Sequence, residues 1–145
     1  MIVDTTYLLR LSSVETSTNL LGAIDEGKTS ITFDELGVSL ISLFELQAKI
    51  AKLRLPPKLA TKAIEVITSE FRVEPFYNKG IVEKADLLSR RLNDYIDCII
   101  LATAIVLKED LITEDSKIKK QRKSIEKEYG IRILDYKEVL NLKSG

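Results

Sequence analysis

The chain has 145 residues, 45% hydrophobic and 30% charged, an ordinary globular mixture long enough for one domain with a sizeable core. Its 22 Lys and Arg balance 22 Asp and Glu, so bulk positive charge implies no partner, and any nucleic-acid contact needs a local patch or a metal. There is no histidine, which excludes Ser-His-Asp triads, histidine general bases and zinc–histidine sites.

"MIV" is a β-branched run that reads as a buried strand near residues 2–4, and "TTYLLRLSS" after it as a helix. "NLLGAIDEG" reads as a second helix closed by Gly27, while "TSITFDEL" fits either a helix start or a turn. "GVSLIS" is the next strand, near 37–41, followed by a helix with apolar residues at Leu43, Leu46, Ile50 and Leu53. "LPP" at 55–57 stops that helix, because a residue before proline avoids the helical region. "KLATKAIEVITSEF" is an amphipathic helix, "RVEPF" a brief strand and "GIVEKADLLSRRL" another helix.

"DYIDCIILATAIVLK" is apolar on nearly every side, so it predicts a buried helix, with the single cysteine, Cys98, as a small core hydrophobe. One cysteine forms no disulfide framework and points to a reducing compartment. "DLIT" predicts a strand at 111–113, "SKIKKQRKSIEKEYG" one polar helix closed by Gly130, "IRILDY" a last strand at 131–135, and "KEVLNL" a short terminal helix. Alternating strands and helices predict a parallel sheet covered on both faces, in a single α/β domain over 1–145. No apolar run reaches the ~18 residues of a membrane span, and "MIVDTT" has no signal-peptide pattern. A cytoplasmic protein with no membrane contact is expected.

Ligands of open α/β sheets bind outside the carboxyl ends of the strands. Asp4 closes "MIV", Glu45 follows "GVSLIS" in the expected first turn of its helix, and Asp115 follows "DLIT". Asp97 belongs to the first turn of the buried helix. Singly, each has a structural reading. Asp4 and Asp115 suit helix N-caps, Ser42 with Glu45 fits a capping box, and Asp97 answers the helix dipole. Together they do not, if they converge. A helix dipole offsets about 0.3–1 kcal/mol per anion, whereas two carboxylates ~4 Å apart repel by about 4 kcal/mol at an effective dielectric near 20. A divalent cation relieves that repulsion, and an oxygen-only donor set selects Mg²⁺ or Mn²⁺.

The four segments "IVDTTYLL" at 2–9, "SLISLFEL" at 39–46, "DCIILATA" at 97–104 and "LITED" at 111–115 resemble, in order, local sequence and spacing, the acidic motifs of PIN-domain nucleases. Within that family the likeness is to the VapC toxins of prokaryotic toxin–antitoxin pairs, over essentially the whole chain. The resemblance implies a three-layer α/β/α fold with about five parallel strands and a Mg²⁺- or Mn²⁺-dependent endoribonuclease. It makes Asp4, Glu45, Asp97 and Asp115 the metal-site and catalytic acids, with Thr5 and Thr113 as accompanying hydroxyls. It further implies an RNA substrate, a homodimer built on apolar faces of helices such as 43–53 or 58–71, and a small antitoxin partner. Thr6 and Ile118 depart from the family pattern, which more often has Asn or Ser and Phe there, but neither departure removes an acid.

Asp94, one turn before Asp97, reads as a cap or as an auxiliary acid. Arg10, Lys49 and Lys52 lie on helices that begin at the proposed site and are candidate RNA-phosphate contacts, with solvated helix faces as the plainer reading. The basic run "KIKKQRK" at 117–123 either solvates its helix or lines the route for RNA. Other readings are an rRNA-processing PIN nuclease without an antitoxin, a phosphoaspartate fold, and a silent binding module. The haloacid-dehalogenase pattern wants a second Asp where this chain has Thr6, and four intact acids argue against silence.

Overall fold

In the computed structural model, which describes residues 1–142, a five-stranded sheet has every neighbouring pair parallel. The strands are β1 (Ile2–Val3), β2 (Gly37–Ser39), β3 (Arg72–Glu74), β4 (Leu111–Ile112) and β5 (Ile133–Leu134), in the order β3-β2-β1-β4-β5. Between them run α1 (Leu20–Asp25), α2 (Leu40–Lys52), α3 (Pro57–Glu70), α4 (Lys79–Leu88), α5 (Tyr95–Leu107), α6 (Ser116–Lys120) and α7 (Arg122–Tyr129), and α8 (Tyr136–Leu140) follows β5. This is the three-layer α/β/α architecture expected.

Successive strand residues point to opposite faces, and the core divides accordingly. Ile2, Leu111 and Ile133 pack on one side with α4 and α5; Val3, Ile112 and Leu134 pack on the other with α2, α3 and α8. Every residue of α5 from Cys98 to Ile105 is buried, so its all-round apolar sequence matches an element enclosed between the sheet and its neighbours. No helix among the described residues is long and apolar enough to cross a membrane.

Several boundaries differ from the sequence reading. Strand β2 ends at Ser39, whose hydroxyl caps α2 by accepting from the Ile41 amide. Glu45 therefore sits in the second turn, and the Ser42–Glu45 capping box does not form. Ser42 is buried instead, its Oγ accepting from Thr5 Oγ1. Residues Thr5–Ser12 wind as a 3₁₀-helix, which two threonines and a tyrosine, poor α-formers, permit. The segment "TSITFDEL" holds a single 3₁₀ turn at Phe33–Glu35. Helix α2 stops before the prolines, through Arg54 in the left-handed region (φ 56°) and the Leu55 amide bonded to the Ile50 carbonyl. The polar helix expected after Asp115 breaks at Gln121, whose side-chain amide donates to the Arg91 carbonyl. Gly27 and Gly130 both lie in the left-handed region, just past the helices they close.

Candidate active site

The strand order leaves β1 with neighbours on both sides, β2 and β4, whose connections lead to opposite edges of the sheet. Such a reversal opens a crevice at the carboxyl ends of the strands. A cleft of about 450 Å³ lies there, lined by Asp4, Thr6, Glu45, Lys49, Asp94, Asp97, Glu114 and Asp115. Larger apolar grooves lie elsewhere, between α2 and α3 around Phe44 and Ile64, but they hold no carboxylate.

Each acid reaches the cleft by a local device. Asp4 is nearly buried at the end of β1, with Oδ1 accepting from the Thr5 amide (2.7 Å) and Oδ2 from Thr113 Oγ1 (2.6 Å). Thr113 Oγ also accepts from the Asp115 amide (3.0 Å), so one hydroxyl ties the ends of β1 and β4 together. Asp115 caps α6 through Oδ1, which accepts from the Lys117 and Ile118 amides. Asp94 caps α5 likewise, its Oδ1 accepting from the Ile96 and Asp97 amides. Capping and cleft-lining are thus compatible, because one carboxylate oxygen caps and the other stays free of protein partners among the described residues. Asp97 and Glu45 have no hydrogen-bond donor to either oxygen among those residues.

The electrostatics register this crowding. Burial pushes the Asp97 carboxyl up to about 7, aided by the charges of Asp4, Asp94, Asp115 and Glu45. Asp4 is also raised, by burial first and by Glu45, although the bonds from Thr113 and Thr5 and the charge of Lys49 oppose the shift. Among the described residues, six carboxylates thus share the cleft with one ammonium, that of Lys49. All the donors are oxygen, which suits a hard divalent cation such as Mg²⁺ or Mn²⁺. As placed, no three Asp, Glu or Cys side chains among the described residues close into a ready metal cage. Asp94 and Asp115 each keep one oxygen on helix amides.

Of the remaining candidates, Thr5 is buried and donates to Ser42, bridging the 3₁₀-helix and α2 behind the cleft. Lys49 lines the cleft, but Arg10 is committed to Thr16, through its hydroxyl and its carbonyl oxygen, and Lys52 is exposed at the end of α2. In the basic run, Lys119 pairs with Asp135 and Arg122 with Glu126 and Glu138. Sequence reasoning missed Glu114 altogether. Nothing but its place beside Asp115 marks it, since its hydrogen bonds come from Tyr7 and Tyr136, far away in the chain.

A family model for the PIN domain matches residues 1–124. The chain belongs to the PIN-domain family. No curated protein sequence matches it. Among solved structures, this PIN protein is similar to a toxin–antitoxin complex from Klebsiella pneumoniae, at 23% identity and TM-score 0.59, covering 80% of this chain and 87% of that one. It is also similar to VapBC2 from Rickettsia felis bound to a DNA fragment from its promoter (15%, TM-score 0.64, 93% and 97%). A third likeness is to FitAcB from Neisseria gonorrhoeae (16%, TM-score 0.62, 92% and 95%). These likenesses concern the fold.

Proposed function

We propose that this PIN protein is a divalent-metal-dependent endoribonuclease, the toxin of a toxin–antitoxin pair, acting as a single domain in the cytoplasm. The observation that carries this reading is the oxygen-only cleft at the sheet's point of reversal, where, among the described residues, the carboxylates outnumber the ammonium groups six to one. Asp4, Glu45, Asp97 and Asp115 are the residues that would hold Mg²⁺ or Mn²⁺, with Asp94 as an auxiliary acid. A cation held there supplies the charge neutralisation and water activation that phosphodiester hydrolysis needs in a protein without histidine.

The chain's own residues do the rest. Thr113 orients Asp4 and the amide of Asp115, and Thr5 locks the 3₁₀-helix against α2. Lys49 offers the cleft's ammonium to an RNA phosphate. The fold shared with a toxin–antitoxin complex and with VapBC2 supports an antitoxin partner. Phe44, 62% exposed on α2 beside the apolar groove against α3, supports a homodimer through those helices.

The test is incubation of the purified protein with total tRNA and rRNA in Mg²⁺, Mn²⁺ or EDTA. Cleavage with either cation and none with EDTA is expected. Equal cleavage in EDTA, or none under any condition, defeats the reading. Suppression of cleavage by the product of an adjacent small open reading frame separates the toxin from an rRNA-processing enzyme.

A further inference from the structure

Glu114 lines the cleft but differs from its neighbours in how its carboxylate is used. Its Oε1 accepts from the buried Tyr7 hydroxyl (3.0 Å) and from the Tyr136 amide at the start of α8 (2.8 Å). Its Oε2 faces the Lys119 ammonium at 3.7 Å, which Asp135 holds from the other side at 3.2 Å. Three separate parts of the fold thus converge on this one side chain: the 3₁₀-helix after β1, the start of α8 and the second turn of α6. Asp97 and Glu45, with no donors of their own among the described residues, are free to turn toward an ion; Glu114 is not.

We propose that Glu114 is a positioning residue, holding the turn from β4 into α6, and with it Asp115 and Lys119, against Tyr7 and α8, without giving an oxygen to the cation. Thr113 pins the same turn from the β1 side through Asp4 and the Asp115 amide. Asp115 is therefore placed by its two predecessors, one on each side. The catalytic arm of this inference rests on the nuclease reading; its structural arm does not.

The experiment compares Glu114→Gln, Glu114→Ala and Tyr7→Phe with the parent and with Asp97→Asn. Three properties are read: Mn²⁺ affinity by titration, amide hydrogen exchange at Tyr136, and steady-state cleavage of a susceptible RNA. Glu114→Gln keeps an acceptor for both donors and should hold Mn²⁺ affinity and kcat within about threefold of the parent. Glu114→Ala should lower kcat about tenfold or more with KM little changed, and speed exchange at Tyr136. Tyr7→Phe, which keeps the ring, should reproduce part of the kcat loss. The inference is overturned if Glu114→Gln weakens Mn²⁺ as much as Asp97→Asn does, for Glu114 is then a ligand. It is overturned equally if Glu114→Ala leaves exchange and kcat at parental values, or raises KM alone. Should the parent cleave no RNA, the nuclease reading fails, while the Mn²⁺ and exchange measurements still decide whether Glu114 positions Asp115 or ligates.

Discussion

The amino ends of β1 and β4 and the cleft at their carboxyl ends hold their carboxylates in different ways. At the amino edge, Glu109 accepts from Arg72 and from the Met1 amine, and Asp110 is paired with Arg132. Burial alone would raise the Glu109 carboxyl, but Arg72 and the Met1 amine outweigh it and hold it below the usual carboxylate range. At the carboxyl edge, burial pushes the Asp97 carboxyl up to about 7, and the charges of Asp4, Asp94, Asp115 and Glu45 add to the shift. The same residue type thus stabilises the fold at one edge and burdens it at the other. On the proposed reading, Asp97 and Glu45, which accept no hydrogen bond among the described residues, are the acids left for an external ion.

The largest expected consequence is catalytic. Asp97→Asn should abolish RNA cleavage, a loss of several kcal/mol of transition-state stabilisation, or about 10³-fold or more at 1.36 kcal/mol per decade. The same variant should melt higher than the parent in the absence of divalent cations. Because the folded carboxyl titrates near 7 and its ordinary value is 3.8, the native state binds the extra proton between those values. Parental stability therefore falls as pH rises from 3.8 toward 7. The melting gain of Asp97→Asn should be full above pH 7 and vanish near pH 4. A variant that cleaves like the parent, with a pH-independent melting difference, erases the contrast between the edges.

Cation binding should sharpen it. Mn²⁺ at 100 times its dissociation constant at pH 8 should stabilise the parent by about 2.7 kcal/mol at that pH, and the same concentration should stabilise it less at pH 6, because Asp97 must lose its proton. EDTA should reverse the gain, as followed by thermal melting. Equal Mn²⁺ stabilisation of parent and Asp97→Asn at both pH values removes Asp97 from the ion's neighbourhood.

Thr113→Val tests the device joining the two central strands. It leaves Asp4 Oδ2 buried without its donor and should cost about 1–3 kcal/mol in denaturant unfolding. It should also raise the Asp4 carboxyl further, since that bond now opposes the effect of burial. A cost no larger than at a surface threonine makes the hydroxyl incidental.

The smallest effect belongs to the paired edge. Glu109→Gln should cost less than about 1 kcal/mol, because its partners are partly solvated. The lowered Glu109 carboxyl contributes stability above its unfolded value, lost as pH falls through the folded one. The variant's deficit should therefore shrink in acid, with RNA cleavage unchanged. A deficit that grows in acid, or a loss of cleavage, merges the two edges that the structure separates.

How much was legible depended on whether the deciding forces are local. Gly27 and Gly130 marked helix ends because the left-handed backbone there favours glycine. The buried helix at 95–107 showed itself through an apolar sequence on every side. The boundary of β2 was misread, since Ser39 and Ser42 are equally good caps by type, and only the packing of Ser42 against Thr5 assigns the cap to Ser39. The break at Gln121 depends on Arg91, from the loop before α5. Asp4, Asp97 and Asp115 stood out because each follows a strand or lies in the first turn of a helix, and Glu45 because its motif resembles the family's, whereas Glu114 is tied in by Tyr7 and Tyr136, to which no sequence spacing points.

By itself, then, the sequence determined the alternation of strands and helices and an oxygen-only chemistry, because periodicity acts over a few residues and composition needs no fold. The tertiary structure alone decided that β1 lies between β2 and β4, which brings Asp4, Glu45, Asp97 and Asp115 to one cleft. It alone also set Asp97 among Asp4, Asp94, Asp115 and Glu45 and tied Glu114 down with three partners. The physical reason is range: backbone preferences and caps are settled among near neighbours, but the charge felt by a carboxyl comes from whatever the strand order places beside it.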